Sequence, residues 1–382
     1  MRSTAMATSS TPEPVDALLS RAARLKGELV AFAQGPRFAR RLDARLFDVE
    51  DDRAAINVID HFALQHRLSD GRTVLDRFVA QRRPTLSDDD RGMLLGWHDV
   101  VEGCFEVRRF DGDAVLLHHL ADDLVYRVHS NAGRAALEPL RVGGFFVGRI
   151  VPLHPATDAW LVTGAYSPLP AAAGPRVAAA VVHQLAEDPE PARRNQALWR
   201  RAREVQAEHR ADFIDQVGAD LVVLPPREAL DVMREHYRRQ RQRAGGTGDA
   251  ALEPPLSEEL LSAETVALVY DEVEGLAVYR DFGRLDALFA DPTPARDRAG
   301  LTLLRGYLDD DSISPLAIRR LVRRHPDGAD RVFRALLRKP GFSWSKDGDQ
   351  LLRRYKKAHL DREPMPGVSV VGERLAELLA SR

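Results

Sequence analysis

Four acidic side chains crowd one short stretch of the chain: Asp271, Glu272, Glu274 and Asp281. They surround two strand-like runs, Thr265 to Tyr270 and Leu276 to Tyr279, whose spacing predicts a hairpin with an expanded loop. Carboxylates at strand ends can hold Mg2+ or Mn2+, hard cations that take oxygen ligands and that activate water or steady the charge on a phosphodiester. A metal-dependent hydrolase or phosphodiesterase built on Asp271, Glu274 and Asp281 is one expectation from this cluster, and a solvated loop is the other. The Glu-x-Lys that nuclease sites add on the next strand is missing, since the corresponding run is Leu276-Ala-Val-Tyr-Arg280.

A second concentration of charge is basic. Between Ser314 and His359 thirteen Lys and Arg stand against four Asp, and four of the chain's five lysines fall there. Arg323, Arg324, Lys346, Arg353, Arg354, Lys356 and Lys357 are interleaved with Phe342, Trp344 and Tyr355. Cations beside aromatic faces suit a phosphate backbone and stacked bases, so nucleic acid or an acidic protein is the expected partner of this face, with Trp344 as the stacking ring. The competing reading is plainer: helices over 315–325 and 328–338 must bury Ile318, Leu321, Val332 and Phe333, and the charges are then their wet sides.

Cys104 is the only cysteine. If the strand around it alternates faces, Cys104 shares a side with Glu106 and Arg108, and a neighbouring His118, His119 or His129 could lower its pKa. A small filler residue is the alternative. His118 and His119 point to opposite faces of a strand, which argues against one ion bound by both. The acidic run Asp88, Asp89 and Asp90 after Ser87 reads as helix capping. No P-loop, no dinucleotide fingerprint, no His-Glu-x-x-His and no Gly-x-Ser-x-Gly occurs. No cofactor is expected.

These residues sit in a chain of 382 residues with 44% hydrophobic and 29% charged side chains, the balance of a folded protein of two or three domains. Lys plus Arg number 55 against 57 Asp plus Glu, a net charge of -2, so any attraction to anions must be local. Fifty of those 55 are arginine, a bias that GC-rich coding produces and that weakens inference from arginine clusters alone. A single cysteine fits a reducing compartment. The first fourteen residues have no apolar core of a secretory signal, and the longest apolar run, Val177 to Val182, is far short of a membrane span. A cytoplasmic protein without membrane contact is expected.

The elements that must position this chemistry follow from periodicity. Val15, Leu18, Leu19, Ala22, Leu25, Leu29 and Phe32 recur at three and four, as do Ile56, Ile59, Phe62 and Ala63, then Val74, Leu75, Phe78 and Val79. From Trp97 the texture turns to short β-branched and aromatic runs at 100–110, 114–120, 124–130, 143–153 and 159–167, separated by turns. The resulting expectation is an α+β, multi-domain chain. It comprises a disordered tail over 1–14, a helical region over 15–96, and a small five-stranded antiparallel β-barrel over 97–170. A helical connector follows over 171–243, with Asp220 to Leu224 as a short strand or extended link, then a Gly/Pro-rich linker over 244–260. A helix-rich C-terminal domain over 261–382, opened by the hairpin, completes it.

Trp97 and the strand residues Phe105-Glu-Val107, Gly144-Phe-Phe-Val-Gly-Arg149 and Trp160-Leu-Val-Thr-Gly164, followed by Asp271 to Gly275, Leu288-Phe-Ala-Asp-Pro292 and Phe342-Ser-Trp344, resemble an uncharacterised family of bacterial cytoplasmic proteins of similar layout with no assigned activity. The resemblance implies a bacterial cytoplasmic setting and carries over no catalytic residue. The leading functional expectation is a non-enzymatic binding or scaffold protein acting through the basic C-terminal face. The alternative is the metal-dependent hydrolase at Asp271.

Overall fold

The computed structural model describes residues 13–243, 257–291 and 293–380. The chain is α+β and divides into two compact units, Met1–Trp199 with Val370–Arg382, and Arg200–Ser369. The expected tail and linker fall largely on residues 1–12 and 244–256, outside the described residues.

The first unit opens with α1 (Val15–Ala33), α2 (Ala39–Leu46), α3 (Asp52–Leu64), α4 (Val74–Gln81) and α5 (Asp88–Gly96). Helix α1 buries Leu18, Ala22, Leu25, Leu29 and Ala33, the stripe its spacing predicts. Asp51 and Ser87 cap α3 and α5 through backbone N–H groups, and Thr73 with Asp76 forms a reciprocal capping box on α4. Helix α2 lies outside the predicted set. Half of its eight residues are charged, and it is held by Leu42 and the adjoining Phe38.

Five strands follow: β1 (Val101–Asp111), β2 (Ala114–His119), β3 (Val125–His129), β4 (Phe145–Pro152) and β5 (Ala159–Leu169). They pair edge to edge in the order β1-β2-β3-β5-β4, and β4 pairs back to β1. The expected all-antiparallel arrangement does not form, because β3 and β5 run parallel. Parity requires this. Each antiparallel pairing reverses direction, a closed ring must return to its starting direction, and five reversals cannot do so; the sheet is therefore mixed.

Alternation along these strands divides their side chains between two cores. Phe105, Val107, Leu117, Tyr126, Phe146 and Ile150 share one cluster. Val151, Leu153, Ala159 and Leu161 face the other way and pack with Leu25, Leu29, Phe62 and Trp97 of the helical layer. Helices α6 (Gly174–Glu187) and α16 (Glu373–Ala380) pack with Leu120, Ala121 and Phe145 in a third cluster. The last helix, expected to belong with 261–382, thus groups with the first unit, and Arg374 clasps Glu106 through two hydrogen bonds of 2.8 Å.

The second unit takes most of α7 (Gln196–Val217), then β6 (Leu221–Leu224), α8 (Pro226–Arg243), α9 (Glu258–Leu261), β7 (Val266–Asp271) and β8 (Gly275–Arg280). Its helices α10 (Phe282–Ala290), α11 (Arg298–Asp309), α12 (Pro315–Arg324), α13 (Pro326–Leu337), α14 (Trp344–Tyr355) and α15 (Lys357–Leu360) follow. The expected hairpin gains β6 as a third strand, in the order β6-β7-β8. Strand β7 is buried on both faces: Val266, Leu268 and Tyr270 pack with Phe213, Ala229 and Met233, while Ala267 and Val269 pack with the core of α10 to α14. This explains its unbroken apolar run. Among the described residues, no helix is long and apolar enough to cross a membrane.

Candidate functional site

The acidic set does not converge. Asp271 and Glu274 share the β7–β8 turn, where Asp271 Oδ1 accepts the backbone N–H groups of Val273 and Glu274 at 2.9 and 3.3 Å and Oδ2 meets Arg320 at 3.3 Å. Asp281 follows the far end of β8, about 20 Å away by strand rise, where its Oδ1 accepts from Glu264 and Thr265 N–H groups. Among the described residues no group of three or more His, Cys, Asp or Glu is placed to hold a metal ion.

The basic set is scattered in role as well as place. Arg323, Lys346, Arg353 and Lys357 are exposed and have no ion-pair partner among the described residues. Arg324 grips Asp286 with two hydrogen bonds of 2.9 and 3.3 Å, and Arg354 lies over the Tyr355 ring at 5.5 Å. Trp344 starts α14 with its ring stacked on Phe333 at 4.8 Å and joins the core of that unit. Lys356 leaves the surface altogether: it is 0% exposed at the junction of α14 and α15, with Nζ donating to the Asp310 carbonyl. Its amine is pushed below the ordinary lysine range by burial, against the pull of Asp310, Asp311 and Asp309.

Cys104 is half-buried against the α6 and α16 cluster, and burial pushes its thiol above the ordinary range. The three histidines are engaged elsewhere. His118 meets Asp123 at 2.8 Å, His119 faces Asp122 at 2.9 Å, and His129 lies 3.2 Å from Arg127.

The best-built polar site was not among the expected ones. It lies within the first unit, between the helical layer and the outward faces of β4 and β5. In the strand ladder Glu102 stands opposite Arg149, and Arg149 opposite Thr163, so three polar residues form a row across β1, β4 and β5. Asp60, from the buried face of α3, comes down on this row. Its Oδ1 accepts from Thr163 at 2.7 Å and from Lys26 of α1, and its Oδ2 accepts from Arg149 at 3.1 Å. Lys26 Nζ also donates to Thr163 Oγ1 at 2.7 Å. Arg149 is completed by the Asn57 carbonyl and by Glu102, each at 3.1 Å.

The strand bends to admit this. Gly164 has φ +70°, and any Cβ there would lie 2.6 Å from Asn57 Oδ1, which accepts the Ala165 N–H at 2.9 Å. Side-chain exposure is 4% at Asp60, 7% at Arg149 and 16% at Lys26, so the cluster is desolvated. Burial pushes the Lys26 amine below its ordinary range; Asp60 opposes that shift and Arg149 reinforces it.

A cavity of about 390 Å³ opens over Lys26, Asp60 and Thr163. Lys26 and Val30 of α1 line it with Gln34 just past that helix, Ile56, Ile59 and Asp60 from α3, and Val151, Leu161 and Val162 from the strands, with Trp97 and Asn131 completing the wall. Asp60 carried a signal in the sequence, as a lone acid within the apolar stripe Ile56, Ile59, Phe62 and Ala63. Lys26 carried another, as the one lysine outside the C-terminal set. Neither signal named its partner. Compared with protein-family models, with curated proteins and with solved structures, the chain matches none.

Proposed function

We propose that the chain is a binding protein whose first unit holds a small molecule in the cavity over Lys26. The observation that supports this is the polar floor, in which Lys26, Asp60, Arg149 and Thr163 come from four distant segments and lock one another beneath mostly apolar walls. A concave apolar space with a few fixed polar groups is the common form of a small-ligand site. The test is thermal denaturation of the full chain against a library of small fragments, repeated on Ile59→Trp, whose indole fills the cavity. Fragments that bind there raise the melting temperature of the parent and not of the variant, because only the folded parent gains binding energy. A library in which every stabilising fragment acts equally on both proteins removes the cavity from the account.

A second reading rests on the exposed, unpaired Arg323, Lys346, Arg353 and Lys357, which would suit the phosphate backbone of a nucleic acid. The setting we infer for either role is the bacterial cytoplasm, on the strength of one cysteine and the arginine-dominated composition.

A further inference from the structure

The chemistry of the Lys26 cavity narrows its ligand, an inference that rests on the reading of that cavity as a binding site. The donors and acceptors of the floor are unequally used. Both Asp60 oxygens are taken, and the Thr163 hydroxyl proton is spent on Asp60. The Lys26 ammonium has three N–H groups and uses two, on Asp60 and Thr163. Trp97, in the cavity wall, has an Nε1–H that donates to nothing. What the floor still lacks is an acceptor.

Charge points the same way. The desolvated groups are two cations, Lys26 and Arg149, and one anion, Asp60; the fourth member, Glu102, has a half-exposed side chain and pairs with Arg149 rather than Lys26. Solvent screens that last contribution. An arriving anion would therefore meet Lys26 with its charge incompletely matched, and would offset the burial that now depresses the amine. The remaining walls are largely apolar, from Val30, Ile56, Ile59, Val151, Leu161 and Val162, with Gln34 and Asn131 as their polar members. A phosphate ester carries more charge than the single ammonium of Lys26 offers, whereas one carboxylate on an apolar body matches it.

We propose that the cavity binds a small monocarboxylic acid, with its carboxylate on Lys26 Nζ and its apolar body between Ile59 of α3 and Leu161 of β5. The volume of about 390 Å³ equals the liquid share of roughly a dozen waters, which sets the size of the acid at about that many heavy atoms.

Isothermal titration of the full chain with hexanoate and benzoate, and with hexanamide and benzamide as neutral isosteres, tests it. The acids should bind about tenfold more tightly than their amides, the gain of a charge-assisted hydrogen bond. Lys26→Met should abolish that preference while leaving weak binding of both. Ile59→Trp keeps the Lys26–Asp60 contact and should lose acids and amides together, which preserves the test if Lys26→Met does not fold. Amides that bind as well as acids would overturn the carboxylate assignment and leave the cavity reading intact. Acid binding untouched by Ile59→Trp would place the site elsewhere, and no heat from any probe at millimolar concentration would overturn both readings.

Discussion

The two units handle charge in opposite ways. In the first, Asp60 is almost fully desolvated and is matched by Lys26, Arg149 and Thr163. In the second, Asp220 bridges Arg210 at 3.0 Å and Arg320 at 2.8 Å with about a quarter of its side chain still in water, and most of the C-terminal cations face solvent. Desolvation makes a buried pair demanding, since each partner must be present for the others to be tolerated. An exposed charge is paired or unpaired at little consequence. A dense cluster of charges in sequence is thus a poor guide to a site, and a sparse set that converges out of water is a better one.

The strongest test of that contrast is Asp60→Ala. It leaves Lys26 buried without a counter-charge and Arg149 with only the half-exposed Glu102, and urea denaturation of the full chain should show a loss of about 3 to 5 kcal/mol from the first unit. A loss below about 1 kcal/mol would mean that the cluster is wetter than its exposure indicates.

The second unit supplies a sharper case, because it buries a titratable group without a counter-charge. His236 is 0% exposed among Phe213, Tyr237 and Tyr270, and burial, helped by His209 and Arg239, pushes its pKa down to about 4 from the ordinary 6.5. The unfolded chain therefore takes up the proton first. The stabilisation is whole above pH 6.5 and is lost as pH falls toward about 4, amounting to at most about 3 kcal/mol. Denaturation of the parent and His236→Phe at several pH values should show a steeper acid loss in the parent. Parallel profiles would show that His236 takes up its proton without unfolding.

The smallest expected effect on stability is at the solvent-facing cations. Arg353→Ala with Lys357→Ala should change stability by less than about 0.5 kcal/mol per site. If the second reading holds, the same pair lowers the slope of log K against log salt for single-stranded nucleic acid by about 1.4, and anisotropy titrations at several salt concentrations read it directly. A chain that binds no RNA or DNA at low salt leaves these residues as wet helix faces.

What was legible in the sequence is local. The three-and-four spacing of Leu18, Ala22, Leu25 and Leu29 made α1, Ser87 and Thr73 marked helix starts, and the β-branched runs from Val101 to Leu169 were strands, because propensity and capping act over a few neighbouring residues. What the tertiary structure decided is every relation between distant residues. Ring closure of five strands required a parallel pairing, which falls between β3 and β5, and β6 found β7 across more than forty residues. Lys356, one of a run of cations, was drawn inside by the Asp310 carbonyl. The floor of the cavity joins positions 26, 60, 149 and 163, and no window of sequence contains two of them together with the reason they meet except the adjacent strands β4 and β5. Their pairing follows from desolvation, which exists only once the helices lie on the sheet and water has been excluded from between them.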